Sequence, residues 1–392
     1  MKASLRYIER HEDLDPLVRA LSDVTRFGVD TESNSLHAYR EEVCFLQIAA
    51  GGETFVVDTL AVKDLSRLAP FFADPEVTKI LHGADYDVSC LGRDFSFHFE
   101  GLFDTMIAAQ LLGHERLGLQ ALVEHYCGVH LEKAHTRYDW GRRPVGEEHL
   151  RYMAEDVIYL ERLHDALCDE LREADIEEEA AIEFARVSRQ PPGRTETSPE
   201  AFRRIKGAGK LDQTGLSVLK QLHLLREKAA ERLNRPPFKV LGNHLLMAVA
   251  RSRPRTLADL ARIRGFPESV LRRHGQGILA AVARGIEERG KVPLRSPEAR
   301  PRMPREQAAV VDGLKEWRRR KTSSEGRSSV LILPNHTLQR LAQERPRTLE
   351  ELAAVDGLGR RRLERYGKEI LDVIAHPPSP ERHRKKGRRD DS

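Results

Sequence analysis

Two stretches of this chain, 92 residues apart, carry closely similar text: HLLMAVARSRPRTLADLARIRGF from His244 and HTLQRLAQERPRTLEELAAVDGL from His336. Continued through RRHGQGILAAV and ERYGKEILDVI, about 16 of 39 aligned positions are identical, which favours duplication over chance. Each copy reads as a small helical bundle. Thr256 or Thr348 caps a helix ahead of Leu-x-x-Leu, a Gly turn follows, and a helix with Gly-x-x-Ile-Leu closes the unit. A further amphipathic helix opens each copy, over 215–233 and 307–321. The duplication therefore splits the chain. The spacing predicts a first body at 1–187, a linker at 188–206, a bundle at 207–289, a linker at 290–304 and a second bundle at 305–376. Residues 323–329 (SSEGRSS) read as a mobile loop, and 377–392 as a basic disordered tail.

Charge divides the same way. Residues 1–190 carry about 20 Lys and Arg against about 37 Asp and Glu, whereas the remainder is basic by about 21, although the whole chain is only +4. A basic half suits a polyanionic partner, and an acidic half suits a domain that holds cations. No apolar run follows the N-terminal residues and no 18-residue apolar stretch occurs, so a soluble cytoplasmic protein without a membrane role is expected. The four cysteines are scattered without zinc spacing and are expected reduced, Cys44 and Cys127 in the core. Nothing demands an oligomer, so a monomer is expected.

The first body reads as mixed α/β. RFGVDTE, VCFLQIAA and TFVVD form an expected antiparallel meander, with Gly51-Gly52 turning the second pair. A helix is expected over 60–72, a strand at 77–82, and helices to about residue 185.

Within this half lie the candidate chemical residues. Asp30 and Glu32 in VDTES project to one side of a strand, because side chains alternate with period two. Tyr152 and Asp156 in RYMAEDVIYL share a helix face at i, i+4. With Asp87 in HGADYDVSCL, three distant segments converge on one acidic site, suited to a pair of divalent cations and in-line attack on a phosphodiester.

These motifs, with FDTMIAAQLLG, ALVEHYCGVHLEK and YDWGRRPVGEEHLRYMAEDVIYL, resemble the Asp-Glu-Asp-Asp superfamily of 3′→5′ exonucleases. Tyr-x-x-x-Asp marks its tyrosine subclass, and the blocks look most like the ribonuclease D family. Each repeat resembles a helicase-and-ribonuclease-D C-terminal (HRDC) domain. The resemblance implies a ribonuclease-H-like α/β exonuclease domain, a mixed sheet flanked by helices, followed by two all-α HRDC-like bundles. It implies Asp30, Glu32, Asp87 and Asp156 as ligands of two Mg²⁺ or Mn²⁺ ions, with Asp30 bridging both. Tyr152 would orient the attacking water. The implied substrate is RNA with a single-stranded 3′ end, notably tRNA precursors, degraded to nucleoside 5′-monophosphates. A DNA exonuclease and a non-catalytic RNA-binding protein are the alternatives. The second predicts lost carboxylates, and all four are present.

Other residues carry two readings each. Tyr152 is a water-orienting group or a packing residue. Asp104 reads as a helix N-cap ahead of a substrate role, Asp85 as a solvent or supporting group, and His82 as a structural hydrogen-bonder. Lys133, Arg137 and Trp140 offer a surface for a single strand, while Trp140 reads equally as buried. Arg253, Arg255, Arg345 and Arg347 in the two RPRTL strings are phosphate contacts or merely solubilising arginines.

Overall fold

The structure, a computed structural model, describes residues 4–132, 137–193, 198, 200–294 and 303–378. Its N-terminal half is organised by a six-stranded mixed sheet. Strands β1 (Ser4–Ile8), β2 (Arg26–Ser33), β3 (Val43–Ala50), β4 (Glu53–Asp58), β5 (Thr78–Leu81) and β6 (Leu102–Asp104) lie in the order β1-β4-β3-β2-β5-β6. The β2-β3-β4 meander is antiparallel as expected, whereas β1, β5 and β6 add parallel pairs at its two sides. All eight residues of β3 are buried, because helices cover both faces of the sheet's centre.

The flanking helices are α1 (Asp15–Ser22), α2 (Ala69–Ala73), α3 (Asp85–Phe95), α4 (Thr105–Leu112), α5 (Leu119–Cys127), α6 (Glu147–Glu155), α7 (Leu160–Glu173) and α8 (Glu177–Ser188). The helix expected over 60–72 is largely absent, and only α2 forms. The cause is local: Asp58 accepts the amides of Leu60 and Ala61 (3.0 and 3.1 Å), and Asp64 accepts that of Ser66 (2.9 Å). Such side-chain-to-backbone bonds hold turns in competition with a helix, while Val62, Leu65 and Leu68 still bury. Cys44 and Cys90 are buried free thiols, but Cys127 is only half-buried, on the α5 end.

The first bundle comprises α9 (Gln213–Arg232), α10 (Pro237–Val240), α11 (Asn243–Ser252), α12 (Leu257–Ala261) and α13 (Glu268–Glu287). The second comprises α14 (Arg305–Glu325), α15 (Ser329–Ile332), α16 (Asn335–Glu344), α17 (Leu349–Ala353) and α18 (Arg360–Ala375). Thr256 and Thr348 cap α12 and α17 as expected, accepting the amides of Asp259 and Glu351. The linkers are shorter than expected: Phe202, Ile205 and Val292 bury in the first bundle's core. Residues 323–329 are no loose loop, since α14 runs through Glu325 and the Ser328 hydroxyl accepts the Leu331 amide to cap α15. The tail expected at 377–392 lies outside the described residues beyond 378.

Both bundles touch the N-terminal half. Glu178 of α8 accepts the first two amides of α18, from Arg360 and Arg361, each at 2.9 Å. This places a carboxylate on a helix N-terminus, where the free N–H groups favour it. Arg362, 1% exposed, donates to the carbonyls of Leu331 and Val330 and lies 3.9 Å from Glu183 of α8. On the first bundle, Tyr39, in the segment following β2, packs against Ala229, Ala230 and Val240.

Candidate active site

Asp30 and Glu32 stand opposite Gln47 and Phe45 of β3, two steps apart on one face of β2, as period two requires. Asp156 caps the C-terminal end of α6, with Tyr152 one turn earlier. Gly28 lets these elements approach, since a Cβ there would stand 3.1 Å from the Val157 carbonyl and 3.2 Å from Leu160. Single carboxylate oxygens of Asp30, Glu32 and Asp156 lie within 4.8 Å of one another, and all three residues are half-buried.

Asp87 enters from the first turn of α3, 7% exposed. Its carboxylate accepts a hydrogen bond from the hydroxyl of Thr31, the residue between Asp30 and Glu32 on the opposite face of the strand. Asp104 holds the turn that launches α3. Fully buried, it accepts the amides of Gly83 and Ala84 (3.0 and 2.8 Å) and those of Met106 and Ile107 (2.9 and 3.1 Å). The N-cap reading of Asp104 is thus correct, with a second pair of amides that local sequence does not reveal. His82 is structural, its Nδ1 2.9 Å from the Thr105 hydroxyl, and Asp85 meets Gln190 and Arg186 away from the cluster.

The electrostatics mark a site short of positive charge. Burial, then Asp87, Asp156 and Glu32, push Asp30 well above the usual carboxylate range. Burial followed by Asp156 and Asp87 lifts Glu32 to about 9. Burial lifts Asp156 to about 7 and Asp87 to about 6. The Tyr152 phenol, hydrogen-bonded to Asp156, is pushed up first by burial and then by Asp156, Glu32 and Asp30. Gln47, opposite Asp30, is fully buried with neither side-chain amide atom hydrogen-bonded among the described residues. Sequence inspection passes over Thr31 and Gln47, whose only signal is their place beside or across from Asp30. An all-oxygen donor set of mutually repelling carboxylates fits hard divalent cations such as Mg²⁺ or Mn²⁺.

The other expected contacts fare differently. Trp140 is 3% exposed, so it is no open stacking platform. It lies behind Tyr152, with ring centroids 6.0 Å apart and planes 22° from parallel, and edge-on to Phe45 and Tyr138. Arg137 is exposed, whereas Lys133 lies outside the described residues. Arg253 and Arg345 end α11 and α16 at φ 50° and 53°, and their guanidinium groups pair with Asp212 and Glu306. Each guanidinium thus has an acidic partner within its own bundle. Arg255 and Arg347 are exposed and form no ion pair among the described residues, while their amides bond to Asp259 and Glu351.

The sequence matches the 3′-5′ exonuclease family over residues 5–172 and the HRDC domain over 215–282 and 307–374. It is 33% identical to ribonuclease D of Gluconacetobacter diazotrophicus across 69% of this chain and 70% of that protein. The chain belongs to the ribonuclease D family of 3′-5′ exoribonucleases. Ribonuclease D of Pseudomonas paraeruginosa is 30% identical over 88% of this chain and 91% of its own length. The crystal structure of ribonuclease D from Escherichia coli, an exoribonuclease involved in structured RNA processing, shares the fold. It covers 96% of this chain and all of that one, with a TM-score of 0.70 at 24% identity. The mixed-sheet domain followed by two helical bundles is thus the ribonuclease D architecture. Among the described residues no helix is long and apolar enough to cross a membrane.

Proposed function

We propose that this chain shortens RNA from single-stranded 3′ ends by two-metal-ion hydrolysis, with tRNA precursors as the physiological substrate and a cytoplasmic monomer as the working form. The observation that carries this reading is the convergence of Asp30, Glu32 and Asp156 within 4.8 Å. Asp87 lies outside that 4.8 Å group, its carboxylate taking the Thr31 hydroxyl beside it. When bound, a pair of Mg²⁺ or Mn²⁺ ions supplies Lewis acidity that makes water a nucleophile and offsets charge on the leaving 3′-oxygen.

Asp30, Glu32 and Asp156 would hold those ions, with Asp87 as the fourth carboxylate beside them. Thr31 fixes the rotamer of Asp87 through its hydroxyl bond. Tyr152, stacked against Trp140, would present its phenol O–H to orient the attacking water. Water adds to the terminal phosphodiester, the P–O3′ bond breaks, and a nucleoside 5′-monophosphate leaves. No covalent protein intermediate is required. The test is digestion of matched 5′-labelled single-stranded RNA and DNA in Mg²⁺, with Asp30→Ala as control. A ladder shortening from the 3′ end on RNA, absent in the variant, supports the reading. A preference for DNA moves the chain to the DNA exonucleases, and binding without cleavage leaves a binding protein.

A further inference from the structure

Gln47 lies in β3, at the centre of the sheet, and is fully buried. Neither its amide nitrogen nor its amide oxygen has a hydrogen-bond partner, and among the described residues it is the only buried side chain with two such atoms. Its buried polar neighbours in the sheet are mostly paired. Asp104 takes four amides, Asp58 takes Arg143 and Tyr7, and the Thr59 hydroxyl donates to the Val43 carbonyl. A buried amide left unpaired costs its lost hydration, whereas methionine or leucine would fill similar space without that cost. The packing of the core therefore gives no reason for glutamine at this position.

The register supplies one. Residues directly opposite in an antiparallel pair project to the same side of the sheet, their Cβ atoms about 4.5–5.5 Å apart. Gln47 stands opposite Asp30 on β2 and opposite Val56 on β4. Val56 belongs to the apolar cluster of Phe45, Trp140 and Met153, so Asp30 is the directly facing group able to accept a hydrogen bond. The diagonal neighbours on that face are Gly28 and Glu32 of β2, and Thr54 and Asp58 of β4. Asp58 is already engaged by Arg143 and Tyr7. Thr54, whose hydroxyl is likewise unpartnered, is separated from β2 by the whole of β3. Glutamine is long enough to reach across one strand spacing to a facing carboxylate.

We infer that Gln47 is a positioning residue for the cation site: its amide N–H donates to the Asp30 carboxylate and fixes that carboxylate's orientation when divalent ions are held. The inference rests on the two-metal reading above. Carboxylates that ligate metals are themselves hydrogen-bonded by the protein behind them, and losing such a bond typically costs about 10- to 100-fold in metal affinity or activity. The site already contains one contact of this kind, the Thr31 hydroxyl on Asp87. Gln47 provides the equivalent for Asp30 from the neighbouring strand. A polar side chain that lowers stability in the core is then retained because it serves the site.

The test uses the full chain with Gln47→Met, which keeps the length and loses the amide, and Gln47→Leu as a second apolar replacement. Thr54→Val serves as a control that removes an unpartnered polar group remote from Asp30. Mn²⁺ binding is measured by isothermal titration calorimetry, and stability by thermal melts without divalent ions. Gln47→Met and Thr54→Val are expected to melt at or above wild type, since each removes a buried unpaired group. Mn²⁺ affinity is expected to fall roughly 10-fold or more in both Gln47 variants and to stay at the wild-type value in Thr54→Val. For single-stranded RNA, kcat of Gln47→Met should fall at limiting Mn²⁺ and recover as Mn²⁺ is raised, with KM for RNA unchanged. A metal-free melt well below wild type in both Gln47 variants would overturn the inference by showing that the amide has a structural partner. Wild type that binds Mn²⁺ no better than Gln47→Met would overturn it alone. Wild type that takes up no Mn²⁺ would overturn the two-metal reading and the inference with it, so the two failures are distinguishable.

Discussion

The phenol ring of Tyr152 lies almost parallel to the indole of Trp140, 6.0 Å between centroids and 22° between planes. Trp140 is itself 3% exposed and wedged against Phe45 and Tyr138. Tyr152 is thus braced from behind while its hydroxyl reaches Asp156. Replacing Trp140 by Ala is expected to destabilise the domain by about 3–5 kcal/mol, as large core truncations do. Trp140→Phe keeps an aromatic brace, so it should fold and bind RNA normally while kcat falls. Thermal melts with steady-state kinetics check this, and an unchanged kcat in Trp140→Phe would show that the brace is structural only.

Asp104 offers a second test of positioning. It satisfies four amides, two at the start of α4 and two in the turn that leads into the helix bearing Asp87. A lost N-cap alone costs about 0.5–2 kcal/mol, and the added buried donors raise that figure. Asp104→Ala should therefore melt several degrees lower and respond less to added Mn²⁺ than wild type. A normal cation response at reduced stability would confine Asp104 to the fold.

The acid limit of stability should lie partly at Asp58. Burial raises this carboxyl, but bonds from Arg143 (2.7 Å) and the Tyr7 hydroxyl (2.9 Å) outweigh it and hold the folded pKa below the ordinary value. A depressed folded pKa contributes stability that is fully present above the unfolded value of about 4 and is lost as pH falls through the folded one. The melting-temperature gap between wild type and Asp58→Asn should accordingly be wide at pH 7 and close below about pH 4. A gap that holds constant to pH 3 would contradict the assignment.

Much of this was legible in the sequence, for stated physical reasons. Asp30 and Glu32 share a face because strand side chains alternate, and Tyr152 and Asp156 share one because helix turns repeat. The β2-β3-β4 meander could be read from two apolar runs and a Gly-Gly turn. The misses are tertiary. The apolar spacing at 60–72 is real, yet the Asp58 and Asp64 carboxylates hold turns there in place of a helix. Nothing in RPRTL says that Arg253 would turn back onto Asp212. Nor could spacing reveal that Trp140 supports Tyr152 from inside. The edge strands β1 and β6 lack alternation or length, so only their partners define them.

Docking of the second bundle depends on Gly359. Its φ of 79° and its approach to Ile182, 2.5 Å from where a Cβ would stand, leave no room for a side chain. Gly359→Ala should cost more than about 1 kcal/mol, since the backbone conformation is also disfavoured. The loss should appear as faster hydrogen exchange in α18 and α8 with the sheet still protected. Uniform exchange across the domain would argue against a local interface.

Asp30, Glu32, Asp87 and Asp156 are proposed to act together as one cation-holding site. Single-turnover cleavage of 5′-labelled single-stranded RNA in saturating Mg²⁺ tests it most directly. Wild type would be compared with Asp30→Asn, Glu32→Gln, Asp87→Asn and Asp156→Asn, with RNA affinity measured in parallel. Each variant is predicted to slow cleavage by roughly 10²- to 10³-fold, the loss of several kcal/mol, while binding RNA as wild type does. Cleavage at the wild-type rate by any one of them would contradict the account.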